Sequence, residues 1–240
     1  MNKTTVREVV RHGLHVTSLD RLLLRRRSAR GVQVDHLFAG NRTQVFEQVY
    51  RRGVWLTTEH QQSRSGAGSE LEATDQLREA LPGLLSRLGA RSLLDVGCGD
   101  FNWMCQVDLG AVEYVGLDIV PSVIQANLDR YGAPQRSFRC LDAVTESLPR
   151  ADAVLCREVL FHLSFADAER LLANVRSSGA RHLIATTDTT TGFNSDIRTG
   201  DYRLLNLRRR PFAFPEPLHW IADDVVQSGR GVGVWRVEDI

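Results

Sequence analysis

Hydrophobic positions along this 240-residue chain recur with two periods, one of strands and one of helices. Short apolar runs predict strands at 91–96, 113–118, 137–141, 151–156 and 181–187. Helical spacing predicts helices at 102–109, 121–131 and 165–177, with Pro121 in a first turn, where its missing donor costs nothing. Another helix is predicted from Ser69, which stands at capping-box spacing from Glu72, to about Leu88, stopping near Gly89. Alternation of this kind builds a parallel sheet with helices on both faces. The end differs: residues 218–222 and 232–237 read as two strands joined by Ser228-Gly229-Arg230-Gly231, an antiparallel edge pair. The expected architecture is α/β, a three-layer sandwich around a mostly parallel seven-stranded sheet whose last strand is antiparallel.

Upstream the pattern is helical only. Residues 1–30 carry a weak periodicity through Val6, Val9, Val10 and Leu14, then Leu19, Leu22 and Leu23. Residues 41–52 repeat it with Val45, Phe46, Val49 and Tyr50. The polar stretch from Gln61 to Ser69 separates this part from the alternating one, so we divide the chain into a basic helical extension, 1–64, and a domain, 65–240. Through Arg52 there are eleven Lys or Arg against four acids, a surplus of seven; since the chain nets +1, the rest carries a deficit of six. Such an arm suits nucleic acid or an anionic substrate, or else is a solvated helical face that packs on an acidic domain or on another subunit, and its helices are a candidate homodimer contact. Apolar runs are too short for a membrane span, and Leu22-Leu23-Leu24 leads straight into Arg25-Arg26-Arg27, unlike a secretory signal. No membrane partner is therefore expected, and the four cysteines read as free thiols of a cytoplasmic protein. Residues 188–216 show little periodicity, and a loop that long in a compact domain usually binds something.

The most specific signal is Leu94-Asp95-Val96-Gly97-Cys98-Gly99-Asp100, with Tyr114-Val115-Gly116-Leu117-Asp118 following it. Each half is a buried strand ending near an acid, and the first opens into a turn whose glycines let backbone approach a ligand. Asp118 falls near the offset at which a ribose-binding carboxylate ends the next strand of a nucleotide fold. Dinucleotide sites use a third glycine and rest a pyrophosphate on the helix that follows. Here that position is Asn102, and Asp100 places negative charge where the pyrophosphate would lie. A cationic adenosine ligand fits better. S-adenosyl-L-methionine carries a sulfonium and an ammonium, and Asp95 is placed to favour the latter.

On these residues, with Cys140-Leu141-Asp142-Ala143 and Ala151-Asp152-Ala153-Val154-Leu155-Cys156 followed by Leu160-Phe161-His162-Leu163, the chain resembles the class I S-adenosylmethionine-dependent methyltransferases over about residues 65–240. The resemblance implies a Rossmann-like fold, S-adenosylmethionine as cofactor and S-adenosylhomocysteine as product. Gly97 to Met104 together with Thr199 to Leu207 look like one largely uncharacterised bacterial branch. What the resemblance implies for the cofactor is a site at Asp95, Gly97, Cys98, Gly99, Asn102, Trp103, Asp118 with Ile119, and Asp142 with Ala143 flanking the adenine. Arg157 stands at the methionine end, and Trp55, Ser65 and Gly66 fold over as a lid by analogy with that branch.

Methyl transfer needs the acceptor aligned with the methyl group and, for a hydroxyl, a base. His162 follows the fourth strand and is the candidate base, with Glu158 or Asp188 assisting. In the late loop Asn194, Asp196, Asp201 and Arg203 are candidates for a hydroxylated acceptor. No Asn-Pro-Pro-Tyr-like run or Pro-Cys pair is present, which disfavours methylation of nucleic-acid bases, and no cluster is spaced for a metal. The leading expectation is O-methylation of a small polar metabolite, a sugar or a natural-product intermediate. Two others stay open: an RNA methyltransferase that uses the basic arm, and a non-catalytic cofactor-binding partner protein.

Overall fold

In the computed structural model, which describes residues 2–58 and 61–240, five strands run parallel: β1 (Ser92–Val96), β2 (Glu113–Asp118), β3 (Arg136–Cys140), β4 (Ala153–Cys156) and β5 (His182–Asp188). Then β6 (His219–Ala222) and β7 (Arg230–Arg236) complete the sheet, with β7 antiparallel between β5 and β6. The order is β3-β2-β1-β4-β5-β7-β6. Strand order reverses between β1 and β4, and the crevice beyond their carboxyl ends is where open α/β sheets bind ligands.

Alternation along each strand divides the core in two. Leu93, Tyr114, Phe138, Leu155 and Ile184 face helices α4 (Leu71–Arg87) and α5 (Pro121–Tyr131). Leu94, Val96, Val154, Cys156 and Leu183 face helix α6 (Phe165–Ser177), which Ser164 caps through the Asp167 amide. Two local expectations fail. The capping box at Ser69 does not form, because Ser69 ends a 3-10 turn and Glu70 stands at the cap position, its carboxylate accepting from Ser63 N at 2.7 Å. Only a 3-10 turn, Met104–Gln106, replaces the helix expected at 102–109. There the chain leaves the glycine turn with Phe101 at φ 59°, and the Asn102 amide is spent on Ser69 O at 2.9 Å. Trp235 is a core residue, whereas Trp220 is exposed and lies over Gly231.

The extension supplies three further helices, labelled here after those of the sheet: α7 (Lys3–Val16), α8 (Leu19–Ser28) and α9 (Arg42–Arg52). A true capping box starts α9, with Asn41 and Gln44 satisfying each other's backbone donors, and Val45, Val49 and Tyr50 turn inward. Helix α7 is the reverse: the valine periodicity is real, but Val6, Val9 and Val10 face solvent while Thr5 and Glu8 are buried. Residues 189–218 lack regular structure, as expected, yet Ile197, Leu205 and Leu207 within them are core residues. No helix among the described residues is long and apolar enough to cross a membrane. The cysteines are free thiols, with Cys98 and Cys156 buried.

Candidate active site

A cleft opens at the carboxyl ends of β1, β2 and β4. Its floor is the first strand–turn unit. Gly97 and Gly99 hold φ of 75° and 56°, and Gly97 N and Cys98 N both donate to Leu117 O, at 2.8 and 2.9 Å. A Cβ on Gly97 would run into Val159, and one on Gly99 into Ser65. Gly97→Ala therefore strains a left-handed backbone and overpacks a buried contact; we expect a loss of about 1–3 kcal/mol, read from the denaturant midpoint at constant slope.

Two acids flank that turn. Asp95 is 4% exposed, accepts from Tyr114 Oη at 2.7 Å, and is pushed up to about 7 by burial. Asp118 accepts from Gly99 N at 3.1 Å and Val120 N at 3.0 Å, and burial pushes it up to about 6. Both line the cleft, and a buried carboxylate that resists ionisation is one that gains from a cation or hydroxyl donors. Ile119, Cys98 and Trp103 line it too. This donor set fits the sulfonium-bearing cofactor and disfavours a phosphate.

At the end of β3, Asp142 and Ala143 line the cleft, but the Asp142 carboxylate is already engaged. Arg42 of α9 donates to it at 2.7 and 3.0 Å, Val144 N at 3.0 Å and Thr145 Oγ1 at 2.9 Å. Burial opposes its ionised form, and these donors outweigh burial, holding it below the ordinary carboxylate range. Arg42 also reaches Asp167, at 3.2 Å.

Beyond β4 the backbone is strained. Glu158 sits at φ 57°, its amide donates to Thr186 Oγ1 at 2.9 Å, and its carboxylate pairs with Arg230. Gly68 packs so close to that carboxylate that no Cβ fits. Arg157 lines the cleft with its charge spent on Asp223, at 2.8 and 3.0 Å, and on Gly68 O. His162 also lines the cleft. Its Nδ1 lies 2.8 Å from Asp201 O, an acceptor only, so Nδ1 carries the proton and Nε2 keeps a free lone pair. Burial pushes His162 down to about 4, so it is neutral at pH 7. Trp55 stacks on its ring, centroids 4.8 Å apart.

The extension closes the cleft. Ser63, Ser65 and Arg64 N all donate to Asp100 of the glycine turn, and Tyr50 Oη is 2.8 Å from Ser65 Oγ. Arg42, Phe46, Tyr50, Trp55 and Ser65 line the wall so formed. Trp55 and Ser65 were foreseen. Arg42, Phe46 and Tyr50 were not, because nothing in their local pattern points to partners a hundred residues away.

Seven expected site residues lie outside this wall. Gly66 packs on Trp55, and Asn102 holds Ser69. Asp188 is buried, with Oδ1 accepting from Thr190. Asn194 bonds to Asn206 O and Arg210 O, Asp196 accepts from Phe165 N, and Asp201 accepts from Tyr202 N. Arg203, fully buried, stacks on Phe165 and donates to Leu160 O. These last four brace the late loop from within rather than face the cleft, because the irregular segment must satisfy its own backbone once α7 buries it.

The sheet order and the cleft at its carboxyl ends agree with the Rossmann-like architecture expected from the sequence. Residues 94–180 match the family model described as a methyltransferase domain. Solved structures share the fold. Magnesium protoporphyrin IX methyltransferase from Synechocystis PCC 6803, with bound S-adenosylmethionine, matches 82% of this chain and 98% of its own at 14% identity and a TM-score of 0.56. The 1,6-didemethyltoxoflavin-N1-methyltransferase of Burkholderia thailandensis, with bound S-adenosylhomocysteine, matches 80% and 84% at 16% identity, TM-score 0.55. N-methyltransferase NodS from Bradyrhizobium japonicum matches 79% and 97% at 16% identity, TM-score 0.52. No curated protein matches the chain in sequence.

Proposed function

We propose that the chain methylates a hydroxyl oxygen of a small polar metabolite, a sugar or natural-product intermediate, with His162 as base. The observation that carries this reading is the neutral imidazole in the cleft, fixed by Asp201 O on one nitrogen and free on the other. When bound, S-adenosylmethionine supplies an activated methyl group and leaves as S-adenosylhomocysteine. His162 Nε2 takes the hydroxyl proton as the new carbon–oxygen bond forms. Asp118 accepts from the ribose hydroxyls, Asp95 faces the ammonium, and Ile119 and Ala143 flank the adenine. Trp55 and Phe46 shut out water. Enclosure by the extension supports a small acceptor over a structured RNA, which would need an open approach. Incubation with a panel of hydroxylated and amino acceptors tests this by product mass: a gain of one methylene on hydroxyl compounds is expected, and transfer only to amines or to RNA would overturn it.

Asp95 adds a pH dependence. Binding a cation selects its ionised form, so cofactor affinity should rise about tenfold per unit from pH 5 to about 7, then level, with proton release near pH 7. Calorimetry in two buffers of different ionisation heat reads the proton directly. A flat affinity with no release would remove Asp95 from the ammonium.

A further inference from the structure

Helix α7 is folded with its polar side inward. Thr5 accepts from Gly192 N, Glu8 from Ser195, His12 from Asp196 N, and Arg11 donates to Tyr202 O. Opposite them, Val6, Val9, Val10 and Val16 are 40–67% exposed, and at helical spacing they form one stripe. After Thr17 and Ser18 the apolar surface continues on α8, where Leu19, Leu22 and Leu23 are 41–52% exposed. Scattered apolar residues on a surface are ordinary, but a run of them on two consecutive helices marks a contact face.

Charge says what covers it. Lys3, Arg7, Arg21, Arg25, Arg26 and Arg27 stand exposed around these residues. The acids of the two helices are withdrawn: Glu8 is buried against Ser195, and Asp20 pairs with His15 and Arg198. A two-fold contact with a second copy would set this basic rim against itself, so the partner is negative. The face lacks the aromatic anchors typical of protein interfaces. Aliphatic side chains beside arginines are how a helix lies on an anionic bilayer.

We propose that α7 and α8 dock the chain on an anionic membrane surface, lying in the interface without crossing it. The expectation of no membrane partner rested on span length, which does not bear on a helix lying flat. The test uses the full chain with sedimenting vesicles of phosphatidylcholine alone or with roughly one-third phosphatidylglycerol. Binding to the anionic vesicles only is expected, weakened at least about tenfold on raising salt to about 0.5 M. Two double variants at exposed positions, Val9→Glu with Leu22→Glu and Arg25→Glu with Arg26→Glu, should each lose about tenfold or more while keeping parental cofactor affinity. Failure to bind anionic vesicles, or binding untouched by both variants, would overturn the proposal. So would a concentration-dependent dimer that Val9→Glu with Leu22→Glu makes monomeric, or a soluble acidic protein that competes the vesicles away.

Discussion

His162→Ala is expected to lower turnover about 10²–10⁴-fold, the range for loss of a positioned base, with cofactor affinity nearly unchanged. Alanine also removes the hydrogen bond to Asp201 O and the stack on Trp55, so a drop in rate alone would not separate chemistry from support. His162→Asn makes that separation, since its Nδ2 stands where Nδ1 stood and can still donate to Asp201 O but is not basic. Both variants should be slow if His162 takes the proton; an Asn variant at parental rate would make the histidine a packing residue. The pH profile gives a second check. Burial lowers His162 to about 4, so at saturating cofactor the parent should hold its turnover as pH falls through 7 and 6 and lose it only near 4. Here the acid limb belongs to protonation of Nε2, and neither variant should retain it.

The sheet and its ligand crevice were legible because their signals are local. Strands β1 and β2 are continuous apolar runs closed by an acid, and the glycine turn between them states its dihedrals through Gly97 and Gly99. Helices α5 and α6 fall on the spans expected from periodicity, because Pro121 and Ser164 punctuate them. Where two local signals competed, the tertiary one prevailed. Ser69 reads as a cap, but it lies between Gly68, which must make room for Glu158, and Glu70, which holds Ser63.

The acceptor side was less legible because its contacts are long-range. Asp142 gives no local sign of its partner Arg42, a hundred residues upstream. In the late loop the polar residues resemble a substrate surface in sequence and behave as internal struts in space. Asn194 shows why: its amide serves the carbonyls of Asn206 and Arg210, doing for an irregular segment what a ladder does for a strand. Helix α7 misleads in the same way. A valine stripe normally announces a buried face, but the groups that α7 must meet are the amides and hydroxyls of residues 190–203, so its polar side turns inward.

Asp118→Ala is expected to weaken S-adenosylmethionine binding about ten- to a hundredfold in calorimetry, the scale of one lost charge-assisted hydrogen bond. Each Asp118 oxygen accepts one backbone amide, from Gly99 or Val120, and retains a lone pair for a ribose hydroxyl. The variant's own stability should move much less than its affinity, because two effects oppose each other. Loss of the two amide bonds destabilises the turn, while removal of a buried charge relieves it. The sign of the second effect follows from its raised value: burial lifts Asp118 from 3.8 to about 6, so its cost is absent below about pH 4, accrues between 4 and 6, and is full above. Relative to the parent, Asp118→Ala should therefore gain stability as pH rises through that window. A variant that kept parental affinity would take Asp118 off the ribose. If affinity and stability fell together at pH 7, its role would instead be to hold the glycine turn.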